Sequence, residues 1–150
     1  MDQGADAGRG DHQAPLLSSI KFEDLVIGRR FGPFVERVSA AMADRLRGEI
    51  GVVAPGSLAG PGVFPVLFLK VLRRAMGGVL SETVLAKQEF EFHTPVPVDT
   101  DVSCHAWVGN KYVRRNRSYL VMEFEIHNSN GELALTGRKV ILWPEPVDRP

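Results

Sequence analysis

The sequence predicts an α+β domain in which an antiparallel sheet is wrapped around one central helix, about residues 63–76. Two observations predict it. The stretch from Val63 to Met76 is apolar around nearly its whole circumference, and a helix of that kind has to be enclosed by protein. After it, from about Ala86 onward, the hydrophobic period changes from helical to two, over four consecutive segments that read as strands with one apolar face. Strands of that kind bury such a helix by curling around it.

Composition narrows the function. The chain has 150 residues, one domain's worth, with 44% hydrophobic and 24% charged side chains, so a real core is available and wholesale disorder is excluded. Eighteen basic residues against 18 acidic ones leave a formal net charge of zero, which argues against nucleic acid or an anionic membrane as the main partner. The longest apolar run, Val63 to Leu69, is far short of the roughly 20 residues that span a bilayer. The opening residues hold no basic and apolar signal pattern, and Cys104 is the single cysteine, so neither a disulfide nor a cysteine cluster for zinc is expected. A cytoplasmic protein without metal or cofactor is the expectation.

The elements follow in order. Residues 1–18 carry three glycines and three aspartates with little to bury and read as a tail, as does the proline-rich end at 144–150, leaving 19–143 as the domain. Ile20 to Val38 reads as an entry turn and a first strand around Phe31, Phe34 and Val38, bent at Gly28, Gly32 and Pro33. Ser39 is a good N-cap for a short helix with Met42, Leu46 and Ile50 on one face. Gly51 to Gly62 holds four glycines and two prolines in twelve residues and must be a loop. The central helix comes next, with Lys70, Arg73 and Arg74 as its polar stripe and Gly77-Gly78 as its stop. At 1.5 Å per residue its length is about 21 Å.

Four strands complete the chain. Ala86, Gln88, Phe90 and Phe92 form the inward set of the first; Val102, Cys104, Ala106 and Val108 that of the second; Leu120, Met122, Phe124 and Ile126 that of the third. The last runs from Leu133 to Trp143. Turns are expected at Pro95 to Asp99, at Gly109-Asn110 and at Asn128 to Gly131.

Several of these segments resemble those of one family. Phe22-Glu23-Asp24-Leu25-Val26-Ile27-Gly28 resembles the opening of MaoC-like hydratases and dehydratases, which have the hotdog fold. Pro61-Gly62-Val63-Phe64-Pro65-Val66 resembles the start of their central helix, Phe92 to Thr100 their proline-rich turn, and Asn128-Ser129-Asn130-Gly131-Glu132 their last hairpin. The resemblance implies an acyl thioester of coenzyme A or acyl carrier protein as ligand. The backbone N–H groups of Gly62 and Val63 would receive its carbonyl oxygen, and Phe64, Leu67 and Phe68 would line the acyl pocket. Independently of the resemblance, a helix N-terminus after a glycine-rich loop presents donors where negative charge could develop.

The chain departs from the family's pattern at the catalytic residues. The Asp/His pair that family members carry on the loop before the central helix is absent, because Gly51 to Gly62 contains no Asp, Asn, Glu or His and only Ser57 is polar. The Asp or Glu that hotdog thioesterases place on the central helix is also missing. Weak substitutes are Glu49, near the end of the first helix, His93, beside the turn that bears Asp99 and Asp101, and Ser57. Strand alternation puts His93, like His105 and His127, on the outer face, and no histidine pair has metal-ligand spacing. Lys111, Arg114, Arg115 and Arg117 place four positive charges in seven residues, a candidate site for coenzyme A phosphates or an acidic carrier protein and also a reasonable solvated hairpin tip.

An uncovered sheet edge predicts a dimer. Three readings follow. The favoured one is a hydratase/dehydratase-type subunit without its own Asp/His pair that works with a partner, as a homodimer or with a related hotdog subunit. The others are an active dehydratase or thioesterase of a lipid or polyketide pathway using nonstandard residues, and a noncatalytic acyl-binding module.

Overall fold

The structure is a computed structural model that describes residues 16–50 and 58–144, with the side chains of 46–50 left aside. A single turn of 3-10 helix at Phe22–Asp24 leads into β1 (Arg30–Val38), α1 (Ala40–Ile50), α2 (Val63–Met76), β2 (Val84–Phe92), β3 (Thr100–Arg114), β4 (Arg117–His127) and β5 (Leu133–Leu142). The five strands form one sheet in the order β1-β3-β4-β5-β2, with every pair antiparallel. β1 and β2 are therefore its edges.

The sheet is wrapped around α2, as the hydrophobic pattern predicts. Val63, Phe64, Leu67, Phe68, Val71, Leu72 and Met76 are buried, and they meet the inward rows of β3 (Val102, Cys104, Ala106, Val108) and β4 (Leu120, Met122, Phe124, Ile126). Glycines set the helix ends: Gly62 is the N-cap, and Gly77, at φ 73°, takes the left-handed conformation that an L side chain resists. The tightest packing is at Phe68. Its ring stacks on Phe124 at 4.7 Å, tilts against Phe90 at 5.0 Å, and lies over Gly137, where a Cβ would stand 2.0 Å from a ring carbon. Gly137→Ala is therefore expected to cost about 1–3 kcal/mol in urea unfolding, because rings on two sides hold Phe68 in place. The loss should shrink in a Phe68→Leu background.

Four expectations need correction. The helix is not enclosed all round: Leu69 is 40% exposed, and Leu85 and Phe92 on β2 are 51% and 52% exposed. A single sheet covers one side of a rod, and β2 at the edge stops short of covering the rest. Gly109-Asn110 is not a turn. β3 runs on to Arg114 with a register shift between Val108 and Asn110, and the reversal falls at Arg115-Asn116, both with positive φ (50° and 63°), as a two-residue hairpin turn demands. Ala86 does not point inward with Gln88, because it is the extra residue where β2 shifts register against β5. Leu16 to Ser18 are not part of a tail: Val79 donates to the Leu16 carbonyl at 2.8 Å and Ser18 donates to the Val79 carbonyl at 2.9 Å. Residues 1–15 and 145–150 of the two expected tails lie outside the described residues.

Ser39 caps α1 as its side chain predicts, its Oγ accepting from the Met42 N–H at 3.1 Å. The hairpin at Asn128 also forms as expected, with Asn128 Oδ1 accepting from the backbone of Asn130 (3.0 Å) and Glu132 (2.9 Å), and Gly131 at φ 80°.

Candidate functional site

The start of α2 meets the 93–97 segment, and local hydrogen bonds explain why. Leu58 bridges to Pro97, and the Ala59 N–H donates to the Val96 carbonyl at 2.8 Å, tying the end of the loop to the proline-rich turn. His93 and Thr94 both donate their backbone N–H to the Ala134 carbonyl, at 2.8 and 3.0 Å, which fixes the other side. Between them is a cavity of about 390 Å³ lined by Ala59, Pro61, Phe64, Phe92 to Pro95 and Val96. That volume lies within the range of small-molecule sites. Its walls are mostly apolar, with Phe64 set edge-on to Phe92 at 5.7 Å.

His93 is on this wall. Strand alternation would turn it to the outer face, but β2 ends at Phe92, so the period does not carry across the strand end. Neither nearby carboxylate pairs with it. Asp99 Oδ1 accepts from the Ala40 N–H at 2.9 Å, and Asp101 pairs with Arg37 at 3.3 Å.

The backbone donors divide. The Val63 N–H already donates to the Gly60 carbonyl at 3.2 Å and the Phe64 N–H to the Pro61 carbonyl at 3.3 Å, so the first turn satisfies itself. Gly62 is exposed and its N–H has no hydrogen bond among the described residues, which leaves it as the open donor at this helix end. Of the expected acyl-lining residues only Phe64 reaches the cavity. Leu67 and Phe68 have no exposed surface and belong to the core.

The other candidates fall elsewhere. Ser57 lies outside the described residues, as does the side chain of Glu49. Lys111 donates to the Phe22 carbonyl at 2.6 Å and sits 4.4 Å from the centre of the Phe22 ring, so it pins the chain entry to β3. Arg114, Arg115 and Arg117 are exposed at the tip of the β3–β4 hairpin, with Arg114 directly opposite Arg117 and no ion pair among the described residues. β3 begins beside the 95–99 turn and rises about 3.3 Å per residue, so its fourteen steps set the arginines roughly 46 Å from that end. The arginine tip and the cavity thus occupy opposite ends of one chain.

A larger hollow of about 610 Å³ lies over Ser103, His105, His127 and Ser129. The His105 and His127 rings meet edge-on at 5.2 Å, and Ser103 Oγ is 3.4 Å from His105 Nε2. It lacks a helix end. Among the described residues no group of three or more His, Cys, Asp or Glu is placed to hold a metal ion, and no helix is long and apolar enough to cross a membrane. Burial raises the Cys104 thiol to about 12, so it stays protonated and inert at neutral pH.

Lys139 was missed by the sequence reading. It is 4% exposed and shares the helix-facing side of β5 with Leu135, Gly137 and Ile141, opposite Met122 on β4 and Gln88 on β2. The signal was there: a lysine in phase with the apolar residues of its strand. Neither those strand neighbours nor α2 offers it a carboxylate, and burial lowers its amine from 10.5 to about 8. Between those two values the unfolded chain binds more protons than the folded one, so the lysine's penalty is full at neutral pH and fades as pH rises toward 10.5. Lys139→Met should therefore raise the melting temperature at neutral pH, by about 3 °C or more for each kcal/mol recovered. The gain should shrink steadily in melts taken above pH 8.

No family model matches the chain, and no curated protein matches it in sequence. Solved structures do match its fold. The (R)-hydratase from A. caviae involved in PHA biosynthesis is 18% identical with a TM-score of 0.67, covering 81% of this chain and 99% of that one. The MaoC-like dehydratase from Rhodospirillum rubrum is 18% identical with a TM-score of 0.65, over 85% and 99% of the two chains. The HadBC (3R-hydroxyacyl-ACP dehydratase) complex from Mycobacterium tuberculosis is 15% identical with a TM-score of 0.68, over 77% and 96%. With a five-stranded antiparallel sheet around one long helix, the chain has the hotdog fold that solved MaoC-like dehydratases and (R)-hydratases share.

Proposed function

We propose that the protein binds an acyl thioester, carried on coenzyme A or acyl carrier protein, in the cavity at the start of α2, and carries out hydratase or dehydratase chemistry there as part of a dimer. The observation that carries this reading is the cavity itself, which joins the N-terminal turn of an internal helix to a histidine and an apolar wall. In hydration, the Gly62 N–H stabilises the negative charge that develops on the thioester oxygen. His93 takes a proton from a water whose oxygen bonds to the β-carbon, and then delivers that proton to the α-carbon, which leaves the histidine neutral again. Dehydration is the same sequence reversed. Phe64 and Phe92 pack the acyl chain.

A second reading keeps the binding site and assigns the acid–base pair to a different hotdog subunit. It is favoured by the absence of an Asp or His anywhere from Gly51 to Met76, and by the two-component complex among the similar structures. Incubating the purified chain with a crotonyl thioester separates the two. Turnover by the chain alone is the expected result; turnover only after a partner subunit is added supports the second reading. Binding without turnover in any combination contradicts both and makes the chain an acyl-binding module.

A further inference from the structure

We propose that the protein selects acyl thioesters whose far end carries a carboxylate, which Lys139 and Gln88 receive at the end of the acyl path. The proposal rests on the reading that the cavity at the start of α2 holds the thioester, and adds the class of acyl chain.

The path follows from two rows of side chains that keep step. Along α2, Phe64, Phe68 and Leu72 lie four residues apart on one face, about 6 Å from each to the next. Along β2, Phe92, Phe90 and Gln88 lie two residues apart on the helix-facing side, about 6.6 Å from each to the next. Phe64 meets Phe92 at 5.7 Å and Phe68 meets Phe90 at 5.0 Å, so the next step brings Leu72 level with Gln88. Lys139 is the register partner of Gln88 on β5. The rows start in the cavity, whose wall holds Phe64 and Phe92, and reach the polar pair about 13 Å further along β2.

This path is covered on one side only. Phe92 is 52% exposed, Leu85 beyond Gln88 is 51% exposed, and β2 is an edge of the sheet. An acyl chain that leaves the cavity over Phe92 and Phe90 takes that apolar edge out of water.

The end of the path is chemically incomplete. Lys139 is 4% exposed and makes no hydrogen bond or ion pair among the described residues, and Gln88 Oε1 is buried without a donor. The two do not bond to each other. α2 holds no acidic residue, and the helix-facing neighbours of the pair are Met122, Gly137, Ile141 and Phe90. A buried ammonium without a counter-charge is disfavoured, which is why burial lowers this amine to about 8. A carboxylate completes both groups. One oxygen accepts from the Lys139 ammonium, and the other accepts from the Gln88 amide once its N–H side turns inward and Oε1 turns out to solvent. A plain alkyl end leaves both polar groups buried and unpaired.

Calorimetric titration of the full chain tests this with saturated thioesters, which cannot be hydrated: decanoyl-CoA, its ω-carboxy counterpart sebacoyl-CoA, and the short butyryl-CoA. The wild-type chain should bind sebacoyl-CoA about tenfold or more tighter than decanoyl-CoA, the worth of one charge-assisted hydrogen bond. Lys139→Met, which should fold at least as stably as the wild type, should lose that preference and bind decanoyl-CoA as tightly or more so. Gln88→Leu should narrow the preference. Equal affinity of the wild type for the two long thioesters, or a preference that survives Lys139→Met, would overturn the proposal and leave the cavity reading standing. Binding of butyryl-CoA with neither long thioester would do the same. Failure of all three to bind would overturn the cavity reading and this proposal together.

Discussion

Phe68→Asp should leave no folded protein. The Phe68 side chain has no exposed surface, and its ring is held between Phe90 and Phe124 over a glycine. Removing a buried phenylalanine costs about 3–5 kcal/mol by truncation alone. The carboxylate adds the cost of a buried charge, and no lysine or arginine within the packed rings can meet it. Lys139 lies two residues from Gly137 on the same strand face, but its own amine is already disfavoured by burial. Against a total stability of about 5–15 kcal/mol, the sum leaves little or nothing. Circular dichroism and the loss of a cooperative melt check it, and Phe68→Leu, which keeps an apolar side chain, should remain folded. A soluble Phe68→Asp variant with a native melt would mean that α2 is not internal.

His93→Ala should lower kcat for thioester hydration by about 100-fold or more, the usual contribution of a positioned acid or base. Stability should hardly change, because the His93 side chain is exposed and only its backbone N–H, which alanine keeps, is bonded to Ala134. The split between rate and stability separates a proton-transfer role from a structural one. His105→Ala is the control: its ring belongs to the hollow over Ser103 and should leave turnover as it was. If His93→Ala kept full activity, His93 would not be the proton-transfer group.

Legibility of the fold followed the strength of local signals. The limits of α2 were readable because Gly62 and Gly77 punctuate an uninterrupted apolar run, and the inward rows of β3 and β4 because each alternates over four positions. Gly109 misled because a glycine followed by asparagine marks a bulge as well as a turn. Its α-carbon faces Glu123, whose side chain a Cβ would strike at 2.5 Å, so the residue is there for close packing. The half-covered state of α2 was not readable, since an all-apolar surface states that it will be buried and not by which chain.

The site was less legible than the fold, for a physical reason. His93 was assigned to the outer face by continuing the β2 alternation one residue beyond the strand end, where backbone direction is set by the bond to Ala134 and by the prolines that follow. Gly62 was readable as a helix start. That Val63 spends its N–H on Gly60 depends on loop geometry that no side chain advertises. The arginine cluster was found by charge alone, and its distance from the pocket emerged only from the length of β3.

A structure of the chain with a crotonyl thioester bound tests the central claim most directly. The account predicts the thioester oxygen within hydrogen-bonding distance of the Gly62 N–H, the acyl chain against Phe64, and His93 facing the β-carbon. A ligand seated instead in the hollow by His105 and His127, or an empty pocket at a saturating concentration, would contradict it.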